Sequence, residues 1–449
     1  MPQQVFKSFF PASWRPHAGH RHHRFLLRNL ALHFRPTTIP RETMRFSLTW
    51  GLGGMAATLV MLQLGSGLLL KFVYEPTPVA AYSSVKALIT STPYGKLIRN
   101  LHYWCAHLLV AMMLLHMLRV FCTGAFHRPR RFNWVIGLGV MAVVLGANFT
   151  GYLLSWDQLA YWAVTVSTGM LEYVPFIGAY LRETILSNGE LGPQTLQLFY
   201  ALHTAVLPAL LIGLLAYHFW RIRKAKGLVI PRPLHTPVVE KPVRANVVPD
   251  LLLRETTTAL VLVAAVLLLS SLVDAPLGEP GNPGLSPNPV RAPWYFAGLQ
   301  ELLLHFHPMF AVFIIPLITC LGLLAIPYLK YDKDTKGIWF ASRKGRKMAG
   351  VAAATAIVAV PLLILADTWF AAAGSAPGAI APVLVKGWIP TLAVLLAIGG
   401  YTIIIKKTFA ATTNDTVQSI FILLVTSYAI LTIAGVWFRG EGMVLTLPW

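Results

Sequence analysis

The 449-residue chain is poor in charge: only 12% of its residues are Asp, Glu, Lys or Arg, while 56% are hydrophobic. A soluble chain carries about 25% charged residues, so a solvated globular fold is excluded and an integral membrane protein is indicated. Cysteine is also scarce. Cys105, Cys122 and Cys320 form no C-x-x-C or C-x-x-C-H pattern, which argues against thiol-attached cofactors and leaves three buried thiols. Acids are few beside bases, 17 against 37 Lys and Arg. The resulting net charge of +20 suggests nucleic acid at first sight, but its distribution argues otherwise. The N-terminus, with its "HAGHRHHR", is basic and His-rich rather than signal-like, and reads as a solvated tail before it reads as a metal site.

Hydrophobic windows fall near residues 47–73, 102–121, 134–154, 199–220, 256–273, 306–329, 348–366, 387–405 and 417–437. Each is long enough to cross a hydrocarbon core of ~30 Å at 1.5 Å per residue. Lipid offers no partner to unpaired backbone groups, so the spans are helical. The fold class is therefore all-α integral membrane with about nine spans. Residues 1–46 hold eight Lys/Arg against one acid, 119–131 four arginines, 221–254 eight Lys/Arg and 330–347 seven. Segments 155–198 and 274–304 each have one arginine. Alternating loops are thus basic, which is the positive-inside pattern. It places the N-terminus in the cytoplasm and the C-terminus outside, and it makes the charge topological, with membrane lipid rather than nucleic acid as its partner.

Two spans carry paired histidines. His102 and His116 are 14 residues apart, about 40° offset around a helix and ~21 Å apart along it. His203 and His218 are 15 apart, offset by about 60°. Residues 101–118 and 199–220 contain no Asp, Glu, Lys or Arg, so these histidines carry the only ionisable imidazoles or charges there, His107 aside. The two spans are separated by two crossings and run parallel, so His102 can face His203 near one surface and His116 can face His218 near the other. A lone membrane histidine is ordinarily an interhelical hydrogen bond. Two matched pairs point instead to two bis-histidine b-type haems. His107 lies about 140° from His102 and keeps the ordinary reading. Gly53 and Gly67 in the first span, and Gly137 and Gly151 in the third, repeat the 14-residue spacing and give flat rings room. Arg99 and Arg119 lie three residues outside His102 and His116, where haem propionates would find them.

Residues 47–227 resemble the cytochrome b of bc and b/f complexes nearly end to end. The pieces that carry this are "GLGG", "YEPTP", "LIRNLHYW", "LHMLRVFCTGAFHRPR", "NFTGYLLSWDQLAYWAV", "VPFIG", "TLQLFYALHTAVLPALL" and "HFWRIRKAKG". The 15-residue spacing and "FYALHTAVLP" resemble the b/f branch. The cysteine that tethers an extra haem in that branch is Gly51 here, and Leu198 stands where the family has an arginine. In the second half, "VVPDLLLRE" resembles the start of the family's fifth helix. "DAPLGEPGNPGLSPNPVRAPWYFAGLQELL" resembles the loop with the quinol-site Pro-Glu-Trp-Tyr signature. The signature here reads Ala292, Pro293, Trp294, Tyr295, without its Glu. The organisation implied is a basic N-terminal segment 1–46, a four-helix di-haem domain 47–227, and a C-terminal membrane domain 228–449 with the quinol loop and about five helices.

The resemblance implies a quinol:cytochrome c oxidoreductase subunit of a bacterial cytoplasmic membrane. It would oxidise quinol outside and pass electrons across the membrane through two haems, contributing to proton translocation. A separate Rieske-type iron–sulfur protein, a cytochrome c-like acceptor and a homodimeric complex are implied as partners. Quinol oxidation needs a proton acceptor near the hydroxyl. Glu301 is the nearest carboxylate, with Pro293, Trp294, Tyr295 and Tyr152 shaping the pocket. At the inner face Asp250, with Arg223 or Lys226, is the candidate for delivering protons to quinone. Two rival readings remain: a di-haem membrane anchor of a dehydrogenase that only exchanges electrons with quinone, and a haem-free scaffold or transporter.

Overall fold

The computed structural model describes residues 37–186, 189–231, 243–332, 337–372 and 382–447. The "HAGHRHHR" stretch lies outside the described residues. In chain order the main helices are α1 (Leu52–Lys71), α2 (Ala81–Thr90), α3 (Gly95–Cys122), α4 (Arg131–Leu153), α5 (Gln158–Met170) and α6 (Gly178–Ile185). They are followed by α7 (Pro193–Lys224), α8 (Val247–Leu272), α9 (Trp294–His305), α10 (Met309–Tyr328), α11 (Arg343–Phe370), α12 (Leu384–Phe409) and α13 (Thr413–Trp437). Among the described residues nine of these, α1, α3, α4, α7, α8 and α10 to α13, are long and apolar enough to span a bilayer. The four shorter ones lie in the connections at one face, opposite the basic loops.

Prolines shape the spans locally. Pro208, Pro316 and Pro390 each follow a π turn, Leu202–Val206, Met309–Ile314 and Leu384–Trp388. A proline offers no N–H to the preceding turn and crowds its carbonyls, so that turn widens. Many large apolar side chains face outward, among them Met61 at 69%, Leu396 at 75% and Ile404 at 63% exposure, which suits lipid and not water.

The two halves share one core. Val266 of α8 and Tyr295 of α9 pack with Leu59, Cys105, Val110 and Val144 of α1, α3 and α4. The connection after α8 is fastened to the first half by polar contacts. Asn100 donates to Ser270 O (2.9 Å) and to Asp274 Oδ1 (3.1 Å). Trp104 Nε1 donates to Val273 O (2.8 Å), and Asp157 Oδ2 accepts from Gly278 N (3.0 Å). The Lys96 ammonium, followed by the Asn100 amide, holds the exposed Asp274 below the usual carboxylate range. On the basic face a short strand Thr38–Pro40 pairs antiparallel with Arg244–Asn246, Ile39 opposite Ala245. The N-terminal segment is therefore stitched to the second half.

Candidate functional site

The site is assembled from helices α1, α3, α4 and α7. The rings of His102 and His203 lie with centroids 6.1 Å apart and planes at 78°. His116 has His218 as its electrostatic neighbour at the other level. His203 sits inside the π turn Leu202–Val206. A π turn takes up one extra residue, so the 15-residue step to His218 acts like 14 and recovers the offset of about 40° seen between His102 and His116. The two helices thus present their histidines in the same register despite unequal spacing.

Hydrogen bonding fixes the tautomers of the first pair. The Ser66 hydroxyl donates to Leu62 O (2.7 Å), so its oxygen accepts from His102 Nδ1 at 3.0 Å. A carbonyl can only accept, so His203 Nδ1 donates to Ala147 O at 2.9 Å. Both rings carry their proton on Nδ1, which leaves Nε2 with its lone pair. That is the form in which imidazole binds a metal, and an Nδ1–H held by a second group is the usual way of orienting such a ligand. The Nδ1 atoms of His116 and His218 are buried and have no hydrogen-bond partner among the described residues.

Each of the four glycines abuts one of the four rings. A Cβ on Gly67 would lie 3.1 Å from His102 Cε1, one on Gly53 3.1 Å from His116 Cε1, and one on Gly137 3.6 Å from His218 Cε1. A Cβ on Gly151 would collide with the His203 ring. The glycines let the α1 and α4 backbones come up to the imidazoles. A haem would fit this chemistry: paired imidazoles, free Nε2 lone pairs on His102 and His203, and backbone without side chains alongside.

The two arginines differ. Arg119 is buried, 8% exposed, forms no ion pair among the described residues and has an Nε without a partner. A buried guanidinium without a carboxylate calls for an anion. Arg99 instead donates to the carbonyls of Ala275 (2.8 Å) and Pro276 (2.6 Å), fastening the connection after α8.

Beside the His102 level lies an aromatic group from both halves. Trp294 Nε1 donates to His107 Nδ1 at 2.9 Å, and the His107 ring lies 4.4 Å from Tyr103 and 5.8 Å from Tyr295. Tyr152, at the end of α4, has Tyr103 and Tyr295 as neighbours. His107 thus makes the interhelical hydrogen bond expected of a lone membrane histidine, and its partner is the indole of the signature segment. Its signal in the sequence was its position about 140° away from the paired histidines, on the face that meets α9.

Two expected site residues stand elsewhere. Glu301 does not fold back toward this group. Trp294–His305 is one continuous helix, so Glu301 stands ~10 Å along it from Trp294. It is fully buried in a bidentate pair with Arg439, whose Nε donates to Oε2 at 3.0 Å and whose Nη2 donates to Oε1. His305 Nε2 lies 3.2 Å from the same Oε1. Burial pushes the Glu301 carboxyl up, but the hydrogen bonds and charges of His305 and Arg439 outweigh it and hold the group below the usual carboxylate range. Glu301 thus stays ionised and out of direct reach. Asp250 is exposed and forms no ion pair among the described residues, so it is not joined to Arg223 or Lys226.

Comparison with known proteins agrees with this architecture. A sequence model of the family Cytochrome b/b6/petB matches residues 40–226. Cytochrome b6 of Bigelowiella natans is 42% identical over 178 residues, 40% of this chain and 83% of that protein. Cytochrome b6 of Synechococcus sp. (strain RCC307) is 42% identical over 173 residues, 38% of this chain and 79% of that one. A solved structure of a hyperthermophilic respiratory Complex III shares the fold, with a TM-score of 0.65 at 22% identity over 92% of this chain and 95% of its own. The four-helix arrangement of paired histidines and facing glycines, together with these relatives, makes the chain a member of the cytochrome b/b6 family.

Proposed function

We propose that the chain is the cytochrome b subunit of a quinol:cytochrome c oxidoreductase, with its basic loops in the cytoplasm. The observation that carries this is the His102/His203 pair, with both Nδ1 protons engaged and both Nε2 lone pairs free, on a helix whose His107 holds the Trp294–Tyr295 segment. When bound, two b-type haems supply one-electron redox centres at two depths of the bilayer. His102 and His203 would hold one and His116 and His218 the other, and the unpaired Arg119 guanidinium would neutralise a propionate.

The residues of the chain do the rest. Trp294, Tyr295, Tyr152 and Pro293 shape the quinol pocket at the outer face, and His107 fixes the indole of Trp294 so that the segment keeps its place. The low-charge interior between the pairs excludes water and ions. A Rieske-type iron–sulfur protein and a cytochrome c-like protein take the electrons, in a dimeric complex of a bacterial cytoplasmic membrane. Asp250, exposed on the side of the basic loops, is the candidate for supplying protons to quinone there.

A second reading, a di-haem anchor that only exchanges electrons with quinone, is favoured by one observation: Pro293 has replaced the signature carboxylate. The purified complex separates the two. Quinol-dependent cytochrome c reduction accompanied by proton release on the outer face supports the first reading. Haem reduction by quinol without either supports the second.

A further inference from the structure

A haem carries two carboxylates, and carboxylates taken into a membrane domain need cations or donors beside them. At the inner level Arg119, buried and without an ion pair among the described residues, stands three residues beyond His116. At the outer level Arg99 gives two N–H groups to the carbonyls of Ala275 and Pro276. A second cation, with a buried donor beside it, lies at the end of α1.

Lys71 closes α1, four residues after Gly67, whose Cβ would lie 3.1 Å from His102 Cε1. Four residues are ~6 Å of rise and about 40° of turn, so Lys71 shares the Gly67 face one turn nearer the outer surface. Its Nζ lies 5.7 Å from the centre of the Tyr200 ring. Tyr200 precedes His203 on α7 by three residues, ~4.5 Å and about 60° away, again toward the outer surface because α7 runs inward. The ammonium is thereby held between the helices that supply Gly67 and His203, a turn outside the level of the His102/His203 pair. Lys71 forms no ion pair among the described residues, not even with Glu75 four residues on.

Tyr74 stacks on the same ring, with centroids 5.7 Å apart and planes at 26°. It packs with Leu153 of α4 and with Leu196 and Phe199 of α7, at the outer end of the helices that carry Gly151 and His203. Its hydroxyl is buried and has no hydrogen-bond partner among the described residues. Burial, followed by the neighbouring Tyr200, pushes this phenol up, so it stays protonated and can donate. A buried donor without an acceptor is costly. A lysine that only snorkels to the interface leaves that hydroxyl unexplained.

We propose that Lys71 and Tyr74, gathered on the Tyr200 ring, bind a propionate of the outer haem, as its cation and its hydroxyl donor. This rests on the di-haem reading. Both donors suit a carboxylate, to which hydrogen bonds are charge-assisted. The positive charge of Lys71 also favours the reduced haem, which is the more negative form, and so raises its potential.

The test is an optical redox titration of the whole complex, in which the outer haem is the component that His102→Leu removes. Lys71→Met should lower the midpoint of that component by up to about 59 mV, tenfold in a one-electron ratio, and leave the other component in place. Lys71→Arg keeps the charge and should stay near wild type. Tyr74→Phe should lower the same midpoint by less. With isotope-labelled haem propionates it should also move their carboxylate bands in the redox-difference infrared spectrum. Loss of the outer haem alone in Lys71→Met, regained in Lys71→Arg, would equally support the assignment. An unmoved outer midpoint in both Lys71→Met and Tyr74→Phe would overturn it. So would equal shifts of both haems, a shift in Lys71→Arg as large as in Lys71→Met, or unchanged carboxylate bands in Tyr74→Phe. Those results leave the di-haem reading standing, whereas a wild-type chain that binds no bis-histidine haem would overturn both.

Discussion

The four glycines beside the histidines make a graded experiment. Replacing each with Ala adds the same methyl group, and in a helix interior Ala gains up to ~1 kcal/mol over Gly. What differs is the space. At Gly137 the new Cβ lies 3.6 Å from His218 Cε1, an ordinary contact, so the propensity gain stands and haem occupancy is unchanged. At Gly53 and Gly67 the distance is 3.1 Å and the ring must yield by a few tenths of an ångström, a cost comparable to the gain. At Gly151 the methyl overlaps the His203 ring, which is tethered by its bond to Ala147 O and cannot simply turn away. Overpacking of this kind costs ~1–3 kcal/mol or more, and 1.4 kcal/mol is tenfold in an equilibrium. Gly151→Ala should therefore lose the His102/His203 haem by about one to two orders of magnitude in affinity and keep the other haem. Reduced-minus-oxidised spectra with redox titration on each purified variant read this directly. If Gly137→Ala lost its haem as readily as Gly151→Ala, or if Gly151→Ala kept both, the placement of the rings against these helices would be refuted.

His102→Leu and His116→Leu should remove different haems, resolved as separate redox titration components, because each belongs to its own pair; loss of the same component in both would refute this. Arg439→Leu leaves Glu301 buried with His305 as its remaining partner and without its bidentate pair, and should destabilise the protein by ~3 kcal/mol. The double variant Glu301→Leu/Arg439→Leu should recover most of that in thermal unfolding of the solubilised protein. The same network gives stability a definite pH course. Glu301 is held below its usual range, so its contribution is present at neutral pH and is lost as pH falls through its lowered value. His305 is held above its usual range, so its contribution is complete below about 6.5 and is lost as pH rises through its raised value. His305→Gln should abolish the alkaline decline in melting temperature and leave the acid one.

Much of this was legible in the sequence because it rests on local periodicity. Hydropathy located all nine spans among the described residues, since lipid tolerates no long polar interruption. The histidine and glycine levels followed from 100° per residue. The unequal spacing of His203 and His218 needed the π turn, and Pro208 was its signal. What local pattern could not reveal was pairing across distance. Glu301 and Arg439 are 138 residues apart, Trp294 and His107 are 187 apart, and nothing in either stretch names its partner. The position of Glu301 could be read as a loop acid reaching a pocket because its helix was not foreseen. Nor could local pattern reveal that Arg99 also fastens the connection after α8 through the carbonyls of Ala275 and Pro276.

The central claim is that this one polypeptide holds two haems between two pairs of histidines and attaches neither covalently. A pyridine haemochrome assay against protein concentration tests it most directly, combined with acid–acetone extraction. The account predicts two b-type haems per chain, both extracted. One haem per chain, none, or haem that remains on the polypeptide after extraction would contradict it.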